Sequence, residues 1–166
     1  NFITESEKKL KYELIHESFV NLPVDASYVN FAIQTMPPFP WHFGGQRFHN
    51  LFVNHFEIDE FCNISNIDIC LDISHSMMAC NYYGWSIKDF ISKIADYTVH
   101  IHISDAQGIA GEGINLGNGD INFSSLVRSL NELVPNLPFI PEIWQGHQNN
   151  GQGFWSALDF LERHKF

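Results

Sequence analysis

The sequence predicts a parallel α/β fold of the barrel type, built from about four strand–helix units. Short apolar runs alternate with segments of helical periodicity, which is typical of parallel strands joined by helices. Four of these runs end in a polar residue able to bind a metal, and successive ends lie 30 to 40 residues apart, about one strand plus one helix. The four residues are Gln34, Asp72, His102 and Glu142. Because the C-terminal ends of parallel barrel strands point to one face, we expect these side chains to meet there.

The composition fits one globular domain. Of 166 residues, 45% are hydrophobic and 14% aromatic, enough for one sizeable core. The net charge of −10 without a basic run argues against a nucleic-acid ligand. The sequence shows no membrane span, signal peptide or lipidation motif, so we expect no membrane partner and a cytoplasmic location. Three cysteines lack metal-finger spacing and are expected to be buried, reduced thiols: Cys62, Cys70 and Cys80.

The first unit is a helix followed by a strand. Thr4 and Glu7 form a capping-box pattern at the start of a helix that ends near Pro23. A strand is predicted at Tyr28–Thr35, and prolines directly after it prevent its continuation. The long loop Met36–Phe52 is rich in proline, glycine and aromatics, which indicates a functional loop. The predicted apolar face of the helix consists of Leu10, Leu14 and Ile15.

The second unit contains a short helix around Glu57–Ile64 and a strand at Ile67–Ile73. Ser86 and Asp89 then cap another helix. Its residues at helical spacing are Ile87, Phe90, Ile91 and Ile94.

The last two units follow the same order. A strand at Thr98–Ser104 leads into a Gly-rich loop, Gly108–Gly119, and Asn122 opens the next helix. A strand at Phe139–Ile143 precedes a polar loop and the closing helix Phe154–His164. Because the strands are almost continuously apolar, we expect a sheet buried on both faces. The apolar stripe of the helix after Asn122 is Phe123, Leu126, Val127, Leu130 and Leu133.

Two strand ends carry histidines near carboxylates. Asp72 precedes His75 by three residues, and a carboxylate followed by an imidazole on a loop suits a divalent ion and a polar substrate. Equally, Asp72 could cap the next turn and His75 could be a solvated loop residue. His100 and His102 alternate, so they point to one side of their strand, and His102 is the better ligand candidate. Asp105 could fix a histidine tautomer or hold substrate.

The last strand end places a carboxylate in an apolar segment. Glu142 follows Pro141, and burying its charge would be costly unless it is paired or metal-bound. Trp41 and Trp144 could form the floor of a sugar-sized pocket, although core packing explains either equally well.

These motifs, in the order DISH, HIHISD and PEIW, resemble those of the xylose-isomerase-like TIM-barrel superfamily of sugar-phosphate isomerases, epimerases and type 2 AP endonucleases. The segment EGINLGNGDINF is similar to the family loop that follows the histidine strand. The resemblance covers the chain from about Tyr28 onward and implies that residues 1–166 are one barrel region, the C-terminal half of a longer barrel. A missing barrel half, or a second copy of the chain, is therefore an expected partner.

The resemblance also implies a site. The family holds one divalent ion, here Mn²⁺, Mg²⁺, Zn²⁺ or Co²⁺, through residues that fall on Gln34, Asp72, His102 and Glu142. It implies that Glu142 and His75 are catalytic in a sugar isomerase or epimerase, where two glutamates pass a proton through an enediolate stabilised by the metal. A small sugar-like substrate would contact the residues Trp41, His75, Asp105 and Trp144.

Gln34 departs from the family pattern, which has glutamate there. An amide oxygen can still coordinate Mg²⁺ or Mn²⁺, but it adds no charge and cannot act as a base. A degenerate barrel that binds a carbohydrate-like ligand or a partner domain, and a metal-dependent dehydratase or lyase, therefore stay open as alternatives.

Overall fold

The computed structural model describes residues 3–22, 28–39 and 50–166, and these form one sheet, one hairpin and the helices that cover the sheet. Parallel pairing joins four strands in the order β1-β2-β3-β6, and β4 and β5 form a separate antiparallel hairpin. The strands are β1 (Ala32–Gln34), β2 (Asp68–Asp72), β3 (Thr98–Ile103), β4 (Asp105–Gln107), β5 (Gly111–Ile114) and β6 (Phe139–Pro141). The helices are α1 (Glu5–Val20), α2 (His55–Ser65), α3 (Ile73–Tyr83), α4 (Ile87–Ile94), α5 (Phe123–Leu133) and α6 (Gln148–Arg163), with a 3₁₀ turn at Ala95–Tyr97.

The predicted order of parallel strands is confirmed, and every predicted helix is present, with α3 and the β4–β5 hairpin in addition. Each strand end lies within a few residues of its predicted position, except that β1 covers only part of Tyr28–Thr35. It is an edge strand that pairs with β2 alone among the described strands, so residues before Ala32 have no ladder to join. No helix of the described residues is both long and apolar enough to cross a membrane.

The two faces of the sheet are buried to different extents. One face packs against the helices and supplies the core. On the other face, His100 and His102 are half-buried and Ile140 is 50% exposed. The expectation of burial on both faces is therefore wrong for this chain, because four strands alone leave the inner face of a barrel without a covering layer. The fully buried strand residues on the helix face are Ile69, Leu71, Ile101 and Ile103.

Helix α1 begins where its capping box predicts. The Thr4 side chain accepts from the backbone N–H of Glu7, and the Glu7 carboxylate accepts from the backbone N–H of Thr4. The predicted apolar face is only partly correct, since Leu10 and Leu14 are 55% and 52% exposed. The residues that pack against the core are Tyr12, Ile15 and Phe19.

Helix α3 was not expected from the sequence. Asp72 is its N-cap, and Gly84 ends it in the left-handed conformation that favours glycine. Its sequence, ISHSMMACNYY, has no single apolar stripe because the helix packs against strands, the hairpin and α4 at once. His75 therefore lies in the first turn of a helix and not on a loop, which corrects the sequence-based interpretation.

The chain after β6 turns sharply before its last helix. Asn149, Asn150 and Gly151 have positive φ angles of 50°, 59° and 80°, so α6 is kinked near its start. The regular part of α6 agrees with the predicted helix Phe154–His164. All three cysteines are buried and free, as expected.

Candidate metal centre

The C-terminal ends of the four parallel strands bring the predicted ligands together. The ligand atoms of Asp72, His102 and Glu142 all lie within 4.8 Å of one another. Gln34, the last residue of β1, donates from Nε2 to Asp72 Oδ2 at 2.8 Å. His102 Nδ1 lies 2.8 Å from Glu142 Oε2 and 4.0 Å from Asp72 Oδ2. The sequence spacing therefore identified four residues that meet in space.

Asp72 uses its two oxygens for different purposes. Oδ1 caps helix α3, accepting from the backbone N–H of His75 at 2.9 Å and from the Ser74 hydroxyl at 3.1 Å. Oδ2 faces Gln34 and His102. The side chain is almost fully buried, and this burial raises the pKa of Asp72 although nearby His75 opposes the shift. Both interpretations of Asp72 left open by the sequence, helix cap and metal ligand, are compatible with its position.

Thr35 joins the ends of β1 and β2 beneath this centre. Its Oγ1 accepts from the backbone N–H of Asp72 at 2.9 Å and donates to the carbonyl oxygen of Asp72 at 3.2 Å. The residue is fully buried. This exchange fixes the backbone of Asp72, and with it the direction of the carboxylate.

His102 has the properties of a metal ligand. Its Nδ1 is buried and has no aligned hydrogen-bond partner among the described residues, although Glu142 Oε2 is only 2.8 Å away. Adjacent ligands of an octahedral ion with bonds of about 2.1 Å lie about 3.0 Å apart, so this short, unaligned contact fits two ligands of one ion. Interaction with Cys70, and then with Glu142, raises the pKa of His102 to about 10.

Glu142 directly follows β6, and its backbone N–H donates to the Ile103 carbonyl at 3.0 Å. Its side chain is 52% exposed, so the argument from costly burial does not apply. The proximity of His102 lowers the pKa of Glu142 and keeps its carboxylate ionised. An ionised, accessible carboxylate can bind a cation or accept a proton.

The donor set of the centre fits a divalent ion. Two carboxylates and one imidazole converge, and the amide of Gln34 can supply a fourth oxygen if it turns over from its bond to Asp72. Oxygen-rich sites of this kind suit Mg²⁺ and Mn²⁺, and the imidazole also admits Zn²⁺ or Co²⁺.

His75 lies beside the centre with both ring nitrogens in contact. Nδ1 is 2.9 Å from the Thr35 carbonyl oxygen and 3.4 Å from Asp72 Oδ2, and Nε2 is 3.2 Å from Glu112 Oε2. Burial alone would lower the pKa of His75, but Glu112 and Asp72 outweigh it and the pKa is raised. The pair of His75 and Glu112 thus forms a polar wall next to the ligands.

Sequence reasoning missed Glu112. It lies on strand β5, whereas the sequence predicts a Gly-rich loop there. Glycines on both sides of Glu112 hide the alternation that would indicate a strand. A usable signal was present, because Glu112 is the only charged residue from Gly108 to Gly119.

Asp105 is not a substrate-binding residue in this structure. Its carboxylate is fully buried and accepts four backbone N–H bonds from the hairpin and the loop after it. The expected substrate contact is therefore corrected to a structural role, since each of the two oxygens of Asp105 already accepts from two backbone N–H groups. Gly119 passes so close beneath the carboxylate that a Cβ would collide with it. The four donors are Ala106, Gly117, Gly119 and Ile121, at 2.8 to 3.2 Å.

An open cleft of about 580 Å³ lies over the centre. Asp72 and Glu142 line it together with His75, Glu112 and Trp144. The Trp144 side chain is 68% exposed at the rim. The other predicted aromatic residue, Trp41, lies outside the described residues, as does most of the predicted functional loop Met36–Phe52.

Comparison with known proteins identifies the family of the chain. The sequence profile of the xylose isomerase-like TIM barrel family matches residues 7–164. A comparison with curated proteins gives no match.

Three solved structures share the fold at low sequence identity. A D-tagatose 3-epimerase-like protein is 17% identical with a TM-score of 0.68, over 99% of this chain and 59% of that one. A D-psicose 3-epimerase from Clostridium cellulolyticum H10, solved with D-tagatose, is 18% identical with a TM-score of 0.66, over 97% and 57%. A probable 3-DHS dehydratase from Bacillus anthracis is 14% identical with a TM-score of 0.67, over 96% and 58%.

The chain thus spans less than three fifths of the length of these three proteins. The profile match nevertheless covers almost the whole sequence, from residue 7 to residue 164. The chain belongs to the xylose isomerase-like TIM barrel family.

Proposed function

We propose that the protein is a divalent-metal-dependent isomerase or epimerase of a small sugar, sugar phosphate or related polyol. The observation that carries the proposal is the convergence of Asp72, His102 and Glu142 at the C-terminal ends of three parallel strands. Structural neighbours named as sugar epimerases support the substrate class.

Asp72, His102 and Glu142 would hold the ion, with Gln34 as a neutral fourth ligand. When bound, the ion would polarise a carbonyl oxygen of the substrate and so acidify the adjacent C–H. The site residues suit this purpose because two carboxylates and one imidazole converge within a small volume.

Glu142 is the proposed acid–base group. It is ionised, half-exposed and directed into the cleft, so it can take a proton from a substrate carbon. Gln34 cannot act as a second base. His75, held between the Thr35 carbonyl and Glu112, is the group that can assist Glu142 and bind a substrate hydroxyl.

The rim of the cleft would hold the rest of the substrate. Trp144 offers an exposed ring that can lie against the apolar face of a sugar. We propose the same role for Trp41. Asp105 is not included, because its oxygens are fully used by backbone donors.

A barrel completed from outside this sheet is part of the proposal. The edges of the described sheet, β1 and β6, each have one pairing partner only. Strands from a further segment, or from a second copy of the chain, would cover the inner face and close the cleft from the opposite side.

The experiment is deuterium exchange into candidate ketoses in D₂O with Mn²⁺, followed by mass spectrometry of the recovered sugar. We expect exchange at the carbon next to the carbonyl, and Glu142→Gln should reduce its rate about 10² to 10⁴-fold because the base is removed. Glu132→Gln, on the exposed side of α5, is the matched control. Exchange that is independent of both the metal and Glu142 would contradict the proposal.

Gln34 favours a second candidate, a degenerate barrel that binds a carbohydrate-like ligand or partner without catalysis. Its amide donates to Asp72 Oδ2 and thereby occupies the oxygen that an ion would need. A protein with no thermal shift on addition of Mn²⁺, Mg²⁺, Zn²⁺ or Co²⁺ would favour this candidate. One structural neighbour is named a probable 3-DHS dehydratase. A metal-dependent dehydratase would bind metal but release water from its substrate.

A further inference from the structure

The inner face of the sheet carries a second group of metal-ligating side chains below the centre described above. Cys70 is paired in register with His100, and Asp72 is paired with His102. Because side chains alternate along a strand, Cys70 points to the same face as Asp72, and His100 to the same face as His102. A thiol and two imidazoles therefore share the inner face, with Cys70 and His100 one rung closer to the start of the strands than Asp72 and His102.

These three side chains lie close enough to bind one ion. The ligand atoms of Cys70, His100 and His102 are all within 4.8 Å of one another. The two rings meet edge to face, with their centroids 5.3 Å apart. A tetrahedral ion with Zn–N and Zn–S bonds of about 2.0 and 2.3 Å has ligand atoms about 3.5 Å apart, which small rotations of the side chains can reach.

The surroundings of Cys70 differ from those of the other two cysteines. Cys62 and Cys80 lie in the apolar core on helices, where burial raises the pKa of each to about 12. Cys70 instead lies on β2 next to two half-buried imidazoles on the open face of the sheet. A buried cysteine is usually an inert space-filler, but two converging imidazoles are not explained by packing.

We propose that Cys70, His100 and His102 form a second metal site, which takes a borderline ion such as Zn²⁺ or Co²⁺. One thiolate and two imidazoles leave a fourth position open, as in zinc sites with three protein ligands. The thiol proton and the proton on the His102 ring are released to solvent when the ion binds. The sulfur selects softer ions, whereas the centre of Asp72 and Glu142 is richer in oxygen and suits Mg²⁺ or Mn²⁺.

His102 belongs to both groups, so the two sites are coupled. An ion held by Cys70 fixes the His102 ring, which also faces Glu142. This inference does not depend on the proposed sugar chemistry, because Cys70 and His100 have no role in that chemistry. The test measures metal binding to the Cys70 sulfur and not enzymatic activity.

The test is a Co²⁺ titration of the reduced protein, followed by absorption. A cobalt–thiolate bond gives a charge-transfer band in the near ultraviolet that oxygen and nitrogen ligands do not give. We expect this band to saturate at one Co²⁺ per chain. It should be lost in Cys70→Ser and kept in Cys62→Ser and Cys80→Ser, which are the matched controls.

Two further variants distinguish binding at this site from binding at the centre of Asp72 and Glu142, and from an effect of misfolding. Glu142→Gln should keep the band although it removes the proposed acid–base group. His100→Gln leaves every thiol in place and should weaken Co²⁺ binding at least about tenfold, the smallest effect typical of lost partners at metal sites. No band in the unmodified protein, or a band unchanged by Cys70→Ser or by His100→Gln, would overturn the proposal.

Discussion

Asp105 shows how a single carboxylate organises the loop beside the site. Four backbone N–H groups from the hairpin and the following loop point to its two oxygens. The side chain is fully buried, and these hydrogen bonds stabilise its carboxylate. The sequence placed Asp105 correctly after a strand, but the motif HISD could not show whether its oxygens face substrate or backbone.

Asp105→Asn should destabilise the protein by about 3 kcal/mol. The amide loses the charge and directs an N–H₂ group at backbone donors, which leaves buried donors unpaired. Urea denaturation measures the change. Asp159→Asn, on the exposed side of α6, is the control and should stay within about 0.5 kcal/mol of the parent. An equally small effect at Asp105 would contradict its structural role.

His102 should make both stability and metal binding depend on pH. Its pKa in the folded, metal-free protein is about 10, above the ordinary value of about 6.5. The stabilisation from the protonated ring is therefore complete below about pH 6.5 and is lost as the pH rises toward 10. The melting temperature of the metal-free protein should fall over this range, and His102→Gln should remove that part of the fall.

Metal binding should show the opposite trend, because the ion must displace the proton on His102. The Mn²⁺ affinity should rise by up to about tenfold per pH unit between about pH 6.5 and 8.5, with release of one proton. Calorimetry in buffers of different ionisation enthalpy counts the protons. His16→Gln, on α1, should leave the slope unchanged; an affinity independent of pH would contradict the assignment of His102 as a ligand.

At the scale of elements, the sequence predicted the helices and strands that have a regular apolar pattern and missed those that lack one. Capping boxes and apolar periodicity located α1, α4 and α5, and apolar runs located the parallel strands. Helix α3 was missed because it is buried on several sides and so has no stripe. The β4–β5 hairpin was missed because glycines replace the alternating side chains, and Glu112 was missed with it.

At the junction of β2 and α3, one residue, Asp72, has both a structural role and a proposed metal-binding role. Asp72 caps α3 with Oδ1 and faces the other ligands with Oδ2. Asparagine is as good an N-cap as aspartate, so Asp72→Asn should keep the cap and lose the charge. The variant should fold with little loss of stability and bind Mn²⁺ at least about tenfold more weakly.

Asp72→Ala should weaken binding equally and cost about 1 kcal/mol more of unfolding free energy, because the cap is lost too. Ser86→Ala, at the N-cap of α4, supplies the reference for a cap without a metal role. Equal Mn²⁺ affinity in Asp72→Asn and the parent would show that Asp72 is a cap only.

At the scale of the whole molecule, four parallel strands make an arc with two edges. The family match and the strand order show the barrel architecture. The sequence predicted this much because its apolar runs recur at the spacing of one strand plus one helix. The half-buried inner face was not predicted, since burial on that side depends on strands that the described sheet does not contain.

Exposed edges should cause this chain to self-associate in solution. Residues leading into β1 are apolar and exposed, among them Val29 at 44%, and an open edge pairs readily with another strand. Light scattering over a concentration series should give a mass above that of one chain. Val29→Lys should reduce it, whereas Leu158→Lys on α6, 37% exposed, should not. A folded chain that is strictly monomeric at every concentration would contradict this expectation.

The central claim is that the strand ends form a metal centre, and anomalous diffraction from crystals grown with Mn²⁺ tests it most directly. We expect one strong manganese peak at coordination distance, about 2.0 to 2.3 Å, from Asp72 Oδ2, His102 Nδ1 and Glu142 Oε2. A map with no peak between these three atoms, in a crystal where the side chains hold the positions described above, would contradict the account.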